Sequence, residues 1–123
     1  IWTPRRTAHK SLFPLCLDVS VGGHVSSGES YEEAFYREVN EEINLKKGEV
    51  NGRLLGHLKP HEAGVSAFMH VYEIQLNETP DYNRDDFVES FWLKPADVLT
   101  KIEQGDVAKG DLPKLLQIFY PTA

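Results

Sequence analysis

The chain has 123 residues, 41% of them hydrophobic and 26% charged, with a formal net charge of −6 at pH 7. That length and apolar content fit one domain over residues 1–123 with a single core, and the negative balance argues against a nucleic-acid polymer or an anionic membrane surface as partner. A single cysteine, Cys16, excludes an internal disulfide and fits a reducing, cytoplasmic setting, while no run approaches the roughly eighteen apolar residues of a membrane span.

In chain order, residues 1–3 read as the end of a strand, followed by Pro4, Arg5 and Arg6. Residues 15–21 alternate apolar and polar side chains, which predicts a half-buried strand delivering the chain to Gly22 and Gly23. Ser30 as N-cap, with Glu33 three residues on, predicts a helix starting at Tyr31, and no Pro or Gly interrupts it before Gly48. Residues 53–58 read as a strand, 59–64 as a loop, and 65–76, rich in Val, Phe, Tyr and Ile, as a central strand. Residues 77–84 carry the Pro, Asp and Asn of an exposed loop, and 88–93 form a short strand. Pro95 opens a helix ending near Gly105, and Asp111 caps a last helix that has Pro113 in its first turn and stops at Pro121. Mixed strands with two or three helices give an α/β sandwich (α+β). Trp92, Phe68 and Tyr72 read as core residues, and five scattered histidines with one cysteine lack the spacing of a structural zinc site.

The helix from Tyr31 carries the chemistry. At about 100° per residue, Phe35, Val39 and Ile43 form one apolar stripe facing the core. Glu42 falls beside that stripe, Glu38 about 40° further round on the same side, and Glu41 on the flank nearer solvent. Carboxylates at the border of a buried face are costly unless neutralised, and a hard divalent cation, the usual companion of a diphosphate, would neutralise them. Glu32 and Glu33 read as ordinary first-turn acids favoured by the helix dipole.

Residues 23–45 resemble the Nudix box, matching it at Gly23, Glu29, Arg37, Glu38, Val39, Glu41, Glu42 and Leu45 and departing at Asn44, where the family has Gly. Asn best tolerates the left-handed conformation after a helix end among the non-glycine residues, so the departure is mild. The resemblance implies a mixed sheet between helices and an N-terminal strand or hairpin inside which this chain begins, at Ile1. It implies Glu38 and Glu42 as metal ligands, Glu41 as ligand or general base, the Gly23 carbonyl as a further ligand, and a supporting Glu29–Arg37 ion pair. The implied reaction is Mg²⁺-dependent hydrolysis, with Mn²⁺ as an alternative. A metal-activated water attacks a phosphoanhydride of a nucleoside diphosphate or another diphosphate-linked small molecule. Homodimers are common in the family.

Outside the box, Arg5, Arg6 and Lys10 are candidate grips for substrate phosphates, and Glu89 lies where many family members carry an acid near the metal. His24 after Gly23, with Arg5-Arg6 upstream, is similar to the branch that includes isopentenyl-diphosphate isomerase, which makes His24 a candidate substrate contact. That isomerase needs a cysteine where this chain has Gly22, and acids on the later strand that residues 65–71 lack. Hydrolysis therefore ranks first, the isomerase second, and a non-catalytic nucleotide-binding regulatory module third.

Overall fold

The computed structural model describes residues 1–121. Four strands, β1 (Trp2–Arg6), β2 (Arg53–Leu58), β3 (Met69–Glu73) and β4 (Phe87–Trp92), and four helices, α1 (Tyr31–Ile43), α2 (Pro60–Ala63), α3 (Pro95–Glu103) and α4 (Asp111–Phe119), follow in the order β1-α1-β2-α2-β3-β4-α3-α4, and a 3₁₀ turn covers Lys47–Glu49. The strands form two antiparallel ladders, β1–β4 and β2–β3. One core gathers Trp2, Val39, Ile43, Val50 and Phe87, joining α1 to one face of β1–β4. A second gathers Leu17, Val98, Leu112 and Leu116, with Ile1, Phe91 and Leu93 of the opposite face partly buried against it. The β1–β4 ladder is thus the middle layer of an α+β sandwich. Among the described residues no helix is long and apolar enough to cross a membrane.

β1 runs further than the sequence suggests, through Pro4, because that residue's missing N–H points away from β4. Its carbonyl accepts from the Asp18 N–H at 3.0 Å, so the proline forfeits one bond only. Residues 15–21, expected as a strand, pair only at Leu17, antiparallel to Arg5 and parallel to Ala108. The reason lies just upstream, where Phe13 and Leu15 hold φ of 51° and 58° and turn the chain out of register. The expected mixed pairing therefore shrinks to that one fully buried residue.

β3 is five residues long and only partly buried rather than a long central strand, since among the described residues β2 is its one partner. Phe68 is 62% exposed and Trp92 48%, so neither is core; Trp92 instead donates from Nε1 to Thr79 Oγ1. Tyr72 stacks on Phe35. The expected loop at 59–64 contains α2, with Pro60 in its first turn and Gly64 closing it at φ 69°. Gly110, not Asp111, is the N-cap of α4; the Asp111 carboxylate accepts from the N–H and hydroxyl of Ser66.

Arg5 ties these pieces together. Its guanidinium makes a two-pronged contact with Asp106 at 2.9 Å on both arms, and Nε donates to Glu89 at 2.6 Å. The Arg5 guanidinium, and after it Lys101, holds the Asp106 carboxyl well below the usual carboxylate range. The unfolded chain therefore takes up this proton first as pH falls, so the contribution is full near neutrality and is lost under acid conditions. Asp106→Asn should cost about 2 kcal/mol at pH 7, read by urea unfolding. The difference from the parent should shrink below pH 4, where the parent carboxylate begins to lose its advantage. Equal stability at pH 7 would contradict this reading of the pair.

Candidate functional site

The acid-bearing helix is fixed at both ends by its own sequence. Ser30 Oγ accepts from the Glu33 N–H and the Glu33 carboxylate accepts from the Ser30 N–H, both at 3.1 Å, which satisfies two donors otherwise orphaned at a helix start. At the other end Asn44 takes the left-handed conformation, φ 56° and ψ 32°, as its side-chain chemistry allows. Asn83 then closes the helix from outside. Its N–H donates to the Glu42 carbonyl at 2.7 Å and its Nδ2 to the Glu41 carbonyl at 3.3 Å. Val39 and Ile43 are fully buried, and Phe35 packs partly buried beside them.

Arg37 is the centre of an ion network. Nε and Nη2 grip both oxygens of Glu29 at 2.7 and 3.0 Å, Nη1 bonds Glu38 at 2.7 Å and reaches Glu41 at 3.3 Å, and Nη2 also bonds the His24 carbonyl at 2.8 Å. The Arg37 contacts, with a hydrogen bond from the Ser26 N–H, lower the Glu29 carboxyl to about 2. The segment between Gly23 and α1 is thereby clamped to the helix. Second-layer clamps of this kind commonly carry about tenfold in rate, so Glu29→Gln should lose about tenfold in kcat with folding intact. An unchanged rate would mean that the clamp plays no part in positioning.

Glu42 is in a different situation. Its carboxylate is largely buried, accepts a hydrogen bond from the Gly22 N–H at 3.1 Å, and among the described residues forms no salt bridge. Burial pushes the carboxyl up to about 8; the Gly22 N–H partly opposes this, while the charges of Glu38, Asp86 and Asp18 add to it. Glu38 is held against the Gly23 backbone, close enough that a Cβ at position 23 would displace its carboxylate. The Glu41 side chain is 55% exposed, and among the described residues its carboxylate bonds Arg37 alone, at 3.3 Å.

The sequence had no signal for Asp18, Asp86 and Asn83 as neighbours of these acids. Asp18 is buried and bonded to Arg6 at 3.1 Å, and Asp86 to Lys10 at 2.6 Å. Arg6 also donates to the Leu12 and Phe13 carbonyls, and Arg5 to that of Leu15. The three basic residues expected to face phosphate are thus engaged within the chain. Glu89 is 49% exposed on β4 and bonds Arg5 rather than any residue of α1. His24 is exposed beside Arg37.

Among the described residues no three carboxylate, imidazole or thiol groups converge into a ready cage for a cation. Glu38 and Glu41 turn to Arg37 instead of meeting Glu42. The donor chemistry nevertheless fits a hard divalent ion, with oxygen ligands only and a buried carboxylate that lacks a counter-charge among the described residues.

The family model of the NUDIX domain matches residues 1–113. The chain belongs to the Nudix family. It is therefore a pyrophosphohydrolase by class, acting on acid anhydrides, in a family that generally uses divalent metals. An uncharacterized Nudix hydrolase of Nostoc sp. is 58% identical over 120 residues, covering 98% of this chain and 71% of that protein. A Nudix hydrolase of Deinococcus radiodurans is 47% identical over 120 residues, covering 98% of this chain and 70% of that protein. The crystal structure of DR0079 from Deinococcus radiodurans, 47% identical, superposes with a TM-score of 0.93 over 97% of this chain and 74% of that one. With this likeness the Nudix fold expected from the box is present.

Proposed function

We propose that this Nudix protein cleaves the phosphoanhydride bond of a nucleoside diphosphate linked to a second moiety, with Mg²⁺, or Mn²⁺ in its place, held by Glu38, Glu41, Glu42 and the Gly23 carbonyl. The observation that carries the proposal is Glu42, a buried carboxylate among Glu38, Asp86 and Asp18 whose one hydrogen-bond partner among the described residues is a backbone N–H. Leaving such a charge uncompensated is expensive, and a bound cation would compensate it. When bound, the ion would supply Lewis acidity, lowering the pKa of an attacking water and neutralising charge on the phosphate oxygens.

The chain's own residues do the rest. Arg37 holds Glu29, Glu38 and the His24 carbonyl, which sets the Gly23 segment against α1. Exposed and weakly tied, Glu41 can turn either to the ion as a ligand or to the attacking water as its base. Arg6 and Lys10 act by holding Asp18 and Asp86 beside Glu42 rather than by gripping phosphate. Asn83 pins the carbonyls of Glu41 and Glu42 and so fixes the helix end that carries them. The isomerase reading gains no support, since Gly22 stands at the position of the required cysteine and its N–H is committed to Glu42.

The test is a product-release screen over nucleoside diphosphates joined to sugars, nucleosides or ribose, together with isopentenyl diphosphate, run with Mg²⁺ and with chelator. Mg²⁺-dependent release of phosphorylated products from one class is the expected result. Isomerised isopentenyl diphosphate without release, or binding without turnover across the panel, would replace this reading with the isomerase or the regulatory module respectively.

A further inference from the structure

We propose that His57 and His70 form an open two-imidazole site for a transition-metal ion, favouring cations that take ligands at right angles, Cu²⁺ ahead of Ni²⁺ and both ahead of Zn²⁺. The two residues are direct partners across the β2–β3 ladder. Nδ1 of His57 lies 2.7 Å from Nε2 of His70, with ring centroids 3.9 Å apart and ring planes at 80°. Two nitrogens at that distance share one proton, and a cation can replace it.

Distance decides which cation. Metal–imidazole bonds of about 2.0–2.1 Å at a right angle put the two nitrogens about 2.9 Å apart, close to the observed 2.7 Å. A tetrahedral angle requires about 3.4 Å, which the pairing of the strands does not offer without opening the two rings. Square-planar and octahedral ions are therefore favoured, and Cu²⁺ leads on intrinsic affinity.

The surroundings suit ligation. His57 is exposed, so water can complete the coordination. His70 is held by Tyr31, whose ring stacks on it at 3.6 Å and 8°, so little freedom is lost when it binds. Burial, and after it the neighbouring His57, lower the His70 pKa, the direction that favours a neutral imidazole ligand. The site uses none of the acids of α1. Tyr31 is the first residue of that helix, so an ion here would brace the β2–β3 ladder against the helix start.

Calorimetric titration of the whole chain with Cu²⁺, Ni²⁺ and Zn²⁺, combined with EPR of the Cu²⁺ form, tests the proposal. The expected result is a two-nitrogen superhyperfine pattern, affinity in the order Cu²⁺, Ni²⁺, Zn²⁺, and at least a tenfold loss of Cu²⁺ affinity in His57→Ala. His70→Phe, which keeps an aromatic ring against Tyr31, should show the same loss. Unchanged Cu²⁺ affinity in either variant, absence of the two-nitrogen signal, or Zn²⁺ bound more tightly than Ni²⁺ would overturn it. Should a variant fail to fold, the wild-type spectrum and metal order decide alone.

Discussion

Glu42→Gln is expected to abolish turnover, a loss on the order of a thousandfold, and to make the protein more stable. Gln keeps an acceptor for the Gly22 N–H but carries no charge into a buried setting already facing Glu38, Asp86 and Asp18. The folded wild type holds the Glu42 proton up to about 8, whereas the ordinary value is 4.5. Between those values the folded state binds more protons than the unfolded chain, so wild-type stability falls as pH rises, and it levels off above them. The variant lacks that slope. Calorimetry should find the two proteins similar at pH 5 and the variant about 5 °C higher at pH 9 in the absence of divalent ions. Wild-type activity in the variant would sink the assignment of Glu42; a lower melting temperature at pH 9 would sink the account of its burial.

Gly23→Ala should separate activity from folding in another way. A Cβ at this position would lie 2.2 Å from Cδ and Oε1 of Glu38 and 2.6 Å from Oε2. The obstructing atoms are the free end of a flexible side chain, so the backbone can stay and the carboxylate must move. Moving it also breaks the 2.7 Å bond to Arg37. Misplacement of about 1 Å at a catalytic group costs about a hundredfold, and a loss of that size in kcat is expected with a melting temperature within a few degrees of wild type. Gly48→Ala is the control, because a Cβ there meets nothing within 4 Å. Equal activity in both variants would show that Glu38 need not sit against the Gly23 backbone.

The acid-bearing helix was legible from the sequence because its determinants are local. The Ser30–Glu33 capping box, the Phe35–Val39–Ile43 stripe and the left-handed Asn44 all act within a few residues of where they are read. The clamp of Arg37 on Glu29 spans eight residues and was legible from the family pattern. The basic residues near the start were visible as charges, but their partners were not: Arg5 meets Asp106 and Lys10 meets Asp86, 101 and 76 residues away. The failed strand at 15–21 has the same origin. Positive φ at Phe13 and Leu15 goes with carbonyls held by Arg6 and Arg5, a tertiary arrangement no alternation pattern encodes. The helix at Pro60–Ala63 did leave local signals, a first-turn proline and a closing glycine, in a stretch that reads as a loop by composition.

The central claim is that the carboxylates of α1 hold the divalent cation, and Mn²⁺ binding followed by EPR tests it most directly. Free Mn²⁺ signal should fall on addition of the wild-type chain and be restored by excess Mg²⁺. Glu42→Gln should weaken Mn²⁺ binding by about tenfold to a hundredfold, while His57→Ala should leave it unchanged. Equal Mn²⁺ affinity in wild type and Glu42→Gln would contradict the account.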